Sequence, residues 1–147
     1  MAIGVAFAVG SRYGGQALRT LGLVVENTVA ALLQAGGAVV TRGLGVVGPG
    51  GRRVLDMLVE AAGKVAWVES KYKLPSKAGD ALTRLVGQMQ SATASATSGQ
   101  QVVLFTFKEP AIAELELVIR SIGPTADPIQ YVWGFRGLMQ WFNFYFY

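Results

Sequence analysis

The chain ends with the stretch Ile129-Gln-Tyr-Val-Trp-Gly-Phe-Arg-Gly-Leu-Met-Gln-Trp-Phe-Asn-Phe-Tyr-Phe-Tyr147, in which aromatic side chains dominate. Nine of the fifteen aromatic residues of the protein lie between Tyr131 and Tyr147, and Arg136 carries the one charge after Asp127. A large aromatic patch left in water is an aggregation hazard. We therefore expect lipid or another subunit to cover this tail, through contacts made by Trp133, Gly134, Phe135, Gly137, Trp141, Phe142 and Phe144.

The composition of the chain favours a packed or membrane-embedded subunit. Of the 147 residues, 52% are hydrophobic and 15% are charged, whereas a typical soluble domain carries about 25% charged residues. The absence of Cys and His excludes thiolate nucleophiles, Ser-His catalysis and zinc sites of the Cys/His type. We predict a protein that is not an enzyme, with no metal site and no cofactor other than a bound phospholipid.

Positive charge is concentrated in the first 84 residues, which hold ten Lys and Arg against five Asp and Glu. This distribution suits an anionic membrane surface, and we assign Arg52 and Arg53 to lipid headgroups. A solvated face and a nucleic-acid surface are the alternatives. Because most of the positive charges are spaced singly, the sequence disfavours nucleic acid as a partner.

The first 50 residues form an apolar, glycine-rich segment that contains a helix. Small residues recur at Ala6, Gly10 and Gly14, a spacing suited to close helix packing. Residues 20–41 are apolar over the roughly 20 residues that a membrane span needs, although a packed amphipathic helix fits equally well. The stretch Gly43-Leu-Gly-Val-Val-Gly48 matches a dinucleotide-binding pattern, but Pro49 follows directly where a helix would have to begin. We interpret it as a hinge loop.

The remainder divides into residues 51–90, 91–101 and 102–147. The first of these predicts an amphipathic helix over 52–74, ended by Pro75, and a second helix over 76–89. Residues 91–101 have the composition of a flexible linker. A short β segment near 102–107, a helix over 111–122 and the aromatic tail complete the chain. The predicted fold is mainly α, with amphipathic helices and one or two segments that span or associate with a membrane.

Part of the sequence resembles subunit g of mitochondrial ATP synthase. The similarity rests on Trp67 to Leu74, on Pro75, on the helix that runs into Gln90-Ser91-Ala92, and on Thr106-Phe-Lys-Glu109 after a polar linker. It covers residues 65–111, and the glycine-spaced membrane helix of that family has no direct counterpart. The resemblance implies a structural subunit of the proton-transporting complex, in the mitochondrial inner membrane, that aids assembly or dimerisation. Lys108 and Glu109 would then lie near the membrane surface.

We therefore predict a non-catalytic structural subunit of a membrane-bound multi-subunit complex, with other protein subunits and membrane lipid as its partners. The alternatives are a peripheral protein that binds anionic membranes and a virus component associated with membrane or capsid. An enzyme is disfavoured, because the carboxylate cluster of Glu109, Glu114 and Glu116 straddles two sides of a predicted helix.

Overall fold

The structure is a computed structural model that describes the backbone of residues 2–48 and 51–147, and the side chains of residues 19–48 and 52–147. The strands are β1 (Val39–Gly48), β2 (Gly51–Ala61), β3 (Lys64–Lys71), β4 (Gln101–Thr106) and β5 (Ile129–Trp133). The helices are α1 (Ala2–Ala35), α2 (Asp80–Ser95), α3 (Ile112–Ile122) and α4 (Gly134–Phe146), with a 3-10 turn over Pro124–Ala126.

The five strands form one mixed sheet in the order β1-β2-β3-β4-β5. The first three are antiparallel neighbours, whereas β4 and β5 each run parallel to the strand before them. Parallel neighbours need a long crossover, and α2 and α3 provide the two crossovers. The predicted mainly α fold is therefore wrong, and the protein is an α/β protein.

A two-residue turn explains why the predicted helix over 52–74 is wrong. Ala61 pairs with Lys64 across β2 and β3, and Ala62 and Gly63 between them have positive φ angles of 50° and 76°. Two positive φ values are the requirement of the tight turn that matches strand twist. The β-branched residues on either side, including Val59 and Val65, then extend into strands. Their spacing satisfies a helical period as well as alternation, so periodicity alone selected the wrong element.

Each face of the sheet buries its own hydrophobic core. On one face, α1 and α4 pack over sheet residues that include Met57, Val68 and Phe105. On the other face, α2 and α3 pack over Leu55, Leu104 and Ile129. The architecture is thus three layers, helix, sheet and helix.

Two local predictions also differ from the structure. Residues 43–48, expected to be a hinge loop, belong to β1, and α2 continues to Ser95, inside the expected linker. Pro49 and Gly50 lie outside the described residues, and so does the packing around Ala6, Gly10 and Gly14. Strand β4 and helix α3 lie where the sequence predicted a β segment and a helix.

Within the described residues, no helix combines the length and the apolar character that crossing a membrane requires. The predicted spanning segments are therefore wrong. Nothing in the architecture supports a membrane subunit of ATP synthase or a role in proton transport.

The aromatic tail is largely covered by the chain itself. Its first residues form β5, and α4 places Leu138, Phe142 and Phe146 in the core beneath α1. An added Cβ on Gly36 would lie 2.6 Å from the Phe142 ring, so a glycine at the end of α1 is what allows this ring to fit. By contrast, Phe144 is 90% exposed.

We predict that Phe142→Ala lowers the free energy of unfolding by about 3–5 kcal/mol, because it empties a filled core position. The matched control is Phe144→Ala on the same helix, which should change it by less than about 0.5 kcal/mol. Urea unfolding followed by circular dichroism measures both. Equal losses in the two variants would contradict this packing.

Candidate metal-binding site

Two carboxylates meet at the point where β2 and β3 stop pairing through their backbones. Regular pairing runs from Ala61 and Lys64 to Met57 and Val68. One residue further, the backbone N–H of Asp56 donates a hydrogen bond of 2.9 Å to Oε1 of Glu69. In return, the N–H of Ser70 donates a 2.7 Å hydrogen bond to Oδ2 of Asp56. Each carboxylate thus takes the place of a backbone carbonyl on the neighbouring strand.

The sheet changes its twist at this position. On β1, Gly43 lies opposite Asp56, between the pairs Arg42–Met57 and Leu44–Leu55, and has a φ of +68°. Leu55 packs in the core under α2 and α3, whereas Met57 packs in the core under α1 and α4. A left-handed glycine at an interior strand position is typical of a local kink. We infer that this kink turns Asp56 toward the space between the sheet and α1.

Burial makes both carboxylates hard to ionise. Glu69 is 2% exposed, and its Oε2 atom accepts no hydrogen bond from the described residues. Desolvation by burial raises the pKa of Glu69, and the nearby Lys71 opposes this rise. Desolvation, and next the negative charge of Glu69, raise the pKa of Asp56 from 3.8 to about 8. The carboxylates therefore either share protons or need a cation to compensate their charge.

A cavity of about 400 Å³ lies between α1 and this part of the sheet. Asp56 lines it beside the β3 end, and Lys71 Nζ lies 3.7 Å from Oε2 of Glu69. Glu26, which lines the cavity from α1, forms an ion pair with Arg42. The full lining consists of Arg19, Gly22, Leu23, Glu26, Asp56, Ser70, Lys71, Tyr72 and Lys73.

These residues suit a hard divalent cation such as Mg²⁺. Mg²⁺ is held by one or two carboxylates and keeps several waters or substrate phosphate oxygens as its other ligands. The Oε2 atom of Glu69 makes no hydrogen bond, and the second carboxylate oxygen of Asp56 is not used in the bond from Ser70. Among the described residues, no group of three or more His, Cys, Asp or Glu side chains can surround a metal. The site therefore fits a cation that is shared with solvent or substrate.

Two of the three carboxylates that the sequence drew attention to accept hydrogen bonds from other parts of the chain. Glu109 accepts a hydrogen bond from the Trp133 indole, and Glu114 accepts one from the N–H of Ala111 at the start of α3. Sequence reasoning missed Asp56 and Glu69, because a helix over 52–74 gave them no common surface. A usable signal was the alternation Glu69-Ser-Lys71 in a strand, which puts a carboxylate and an ammonium on one face.

The residues predicted to contact lipid or a partner are dispersed. Phe142 is buried, Phe135 and Trp141 are half-buried, and Trp133 and Phe144 are exposed. Gly134 begins α4 with a φ of +71°, and Gly137 follows within that helix. Arg52 is exposed and Arg53 half-buried, both on β2. No observation on the described residues tests whether any of them contacts lipid.

No protein-family model and no curated protein matches the chain. A solved structure described as "Crystal Structure of Protein of Unknown Function AF1548" is similar, with 16% sequence identity and a TM-score of 0.49. The match covers 78% of this chain and spans 63% of the length of that one.

The raised pKa values predict an unusual dependence of stability on pH. Asp56 releases its proton near 3.8 in the unfolded chain and near 8 in the native chain. The native state therefore binds more protons between these values, so the free energy of unfolding falls as pH rises from about 4 to about 8. Without divalent cation, we expect the slope to approach about 1.4 kcal/mol per pH unit for this one proton.

Urea unfolding at several pH values in EDTA measures this slope. Asp56→Asn removes the titrating group and should flatten it, whereas Glu60→Gln, at an exposed position of the same strand, should not. A slope that is the same in wild type and Asp56→Asn would contradict the raised pKa of Asp56.

Proposed function

We propose that this protein is a hydrolase that depends on a divalent cation and cleaves phosphodiester bonds in nucleic acid. The observation that carries the proposal is the position of Oε2 of Glu69, which is buried without a hydrogen bond, next to Asp56 and 3.7 Å from the Lys71 ammonium. Asp56 and Lys71 line the cavity beneath α1, and the buried Glu69 contacts both of them. Together the three residues combine a cation site with a positive charge for a substrate anion.

Asp56 and Glu69 would hold the cation. A divalent cation supplies Lewis acidity toward a phosphoryl oxygen and lowers the pKa of water. Their hydrogen bonds from backbone N–H groups on the opposite strand fix both carboxylates in orientation, so little reorganisation is needed when a cation binds. A bound cation would also lower both raised pKa values, because its charge stabilises the ionised carboxylates against desolvation.

Lys71 would act on the substrate. Its ammonium lies two residues after Glu69 on β3 and lines the cavity. A positively charged donor held close to the cation site stabilises the negative charge that develops on phosphate oxygens during hydrolysis. The neighbouring Glu69 carboxylate, 3.7 Å away, limits where the ammonium can move.

The surroundings of the cavity favour a polyanionic substrate. Arg19 from α1 and Lys73 from the segment after β3 line the cavity together with Lys71. Arg19 lies far from Lys71 and Lys73 in the sequence, and the single spacing of most positive charges had disfavoured nucleic acid. Brought together beside one cavity, the three charges suit the phosphates on either side of a scissile bond.

The prediction of a non-catalytic subunit with lipid and protein partners stays untested, and so does the predicted localisation at the inner membrane. The site residues favour the hydrolase, because a desolvated pair of carboxylates beside a lysine in a cleft is typical of functional sites.

The test is cleavage of fluorescently labelled single-stranded and duplex oligonucleotides in Mg²⁺ or Mn²⁺. We expect cleavage that EDTA abolishes, and a loss of about 100-fold or more in Asp56→Asn, Glu69→Gln and Lys71→Met. Glu60→Gln, purified in parallel, is the control and should cleave like wild type. Cleavage that persists in EDTA, or that the three variants retain, would overturn the proposal.

A further inference from the structure

A second cavity lies on the opposite side of the sheet, under α2 and α3. Its volume is about 360 Å³, and it is lined by Arg53, Leu82, Thr83, Val86, Gly87, Gln90 and Ser121. Arg53 extends from β2 toward α2, whereas Asp56 and Lys71 line the cavity beneath α1. The two cavities therefore lie on different faces of the sheet.

The guanidinium of Arg53 has no anion to compensate it. Its Nε atom is buried and makes no hydrogen bond, and no ion pair to Arg53 occurs in the part of the chain that the structure describes. An unpartnered buried donor on a charged group is costly, so such groups are normally paired. No carboxylate lines this cavity.

The absence of a side chain at Gly87 leaves room for the guanidinium of Arg53. A Cβ added there would lie 2.5 Å from Nε of Arg53 and 2.7 Å from Nη2. Glycine lowers helix stability by roughly 1 kcal/mol relative to alanine, so its presence within α2 calls for a packing reason. It lets the planar guanidinium lie directly against the helix backbone, beside the cavity that Arg53 lines.

One further donor is available at the same place. The Gln90 amide donates a single hydrogen bond, of 3.2 Å, to the carbonyl of Ile122, which leaves its second N–H uncommitted. The hydroxyls of Thr83 and Ser121 donate to helix carbonyls and would have to rotate to serve a ligand. The cavity thus offers a forked cation and an amide N–H, with apolar walls from Leu82 and Val86.

We propose that this cavity binds a phosphate group through the forked guanidinium of Arg53. Arginine and phosphate form paired, charge-assisted hydrogen bonds that are shorter and stronger than neutral ones. A free phosphate compound and the backbone of a nucleic-acid strand both supply such a group, and the two sources share this chemistry. The site is separate from the Asp56 and Glu69 carboxylates and does not depend on their function.

The first experiment is calorimetric titration of the whole 147-residue chain with inorganic phosphate in EDTA, at constant ionic strength. We expect saturable binding that weakens about tenfold or more in Arg53→Met. Arg53→Lys keeps the charge but loses the fork, and should bind about fivefold more weakly than wild type. Arg52→Met is the matched control, because the neighbouring residue of a strand points to the opposite face and does not line this cavity.

The second experiment measures binding of a short duplex oligonucleotide by fluorescence anisotropy, again in EDTA so that hydrolysis plays no part. If the phosphate belongs to a nucleic acid, Arg53→Met should lower the slope of log affinity against log salt by about 1, and Arg52→Met should not. If Arg53→Met weakens the binding of inorganic phosphate, the site is assigned to free phosphate compounds. If Arg53→Met changes only the binding of the oligonucleotide, the site is assigned to a nucleic-acid strand.

Three results would overturn the proposal. The first is that neither titration responds to Arg53→Met more than to Arg52→Met. The second is that Arg53→Lys binds as tightly as wild type, because a fork is then not recognised. The third is that no saturable binding occurs in either titration. Since EDTA is present throughout, these results are independent of whether the chain cleaves phosphodiester bonds.

Discussion

The backbone N–H groups of Asp56 and Ser70 each donate a hydrogen bond to a carboxylate on the opposite strand, and the candidate site depends on this exchange. It keeps two carboxylates in a place with little water, so desolvation raises both pKa values, and the charge of Glu69 further raises the pKa of Asp56. Hydrogen bonds from N–H groups favour the ionised forms, but desolvation is the larger effect. A structure that holds carboxylates in this way is prepared for a cation before one arrives.

The aromatic tail contributes to the site through α1. Phe142 of α4 packs against Gly36 at the end of α1, and the ion pair of Glu26 with Arg42 joins the middle of α1 to β1. These contacts hold α1 over the kinked part of the sheet, and its residues Arg19 and Glu26 form one wall of the cavity. The aromatic tail, which the sequence predicted to need a partner, itself covers one face of the sheet. Helix α1 therefore both packs against the tail and lines the cavity.

The sequence predicted those segments whose residue pattern fits only one type of secondary structure. The helix over 111–122 has a single apolar stripe, and Val102 to Phe107 is rich in β-branched and aromatic residues, so both segments were recognised. The region 52–74 failed because Val54, Leu55, Leu58, Val59 and Ala62 satisfy a helical stripe, while the decisive feature is a turn at Ala62-Gly63. Turns with positive φ usually carry Asn or Asp before Gly, and alanine there gave little warning.

The site was missed for a related reason. Asp56 and Glu69 lie 13 residues apart, and they come together only when the segment between them folds back as a hairpin. The predicted placement of Arg52 and Arg53 also changes, because a helix start would put both at one end of a dipole. A strand instead separates them onto two faces, so that Arg53 alone reaches α2. Because residues 52–74 were predicted to be a helix rather than two strands, both the carboxylate pair and the cavity beside Arg53 were missed.

The most direct measurement of the central claim is an NMR titration of the side-chain carboxyl carbons of Asp56 and Glu69, with and without Mg²⁺. The account predicts that Asp56 titrates at about 8 in the absence of the cation, that the pKa of Glu69 is also raised, and that Mg²⁺ lowers both values. Titration of both carboxyls at ordinary values for Asp and Glu, unchanged by Mg²⁺, would contradict it.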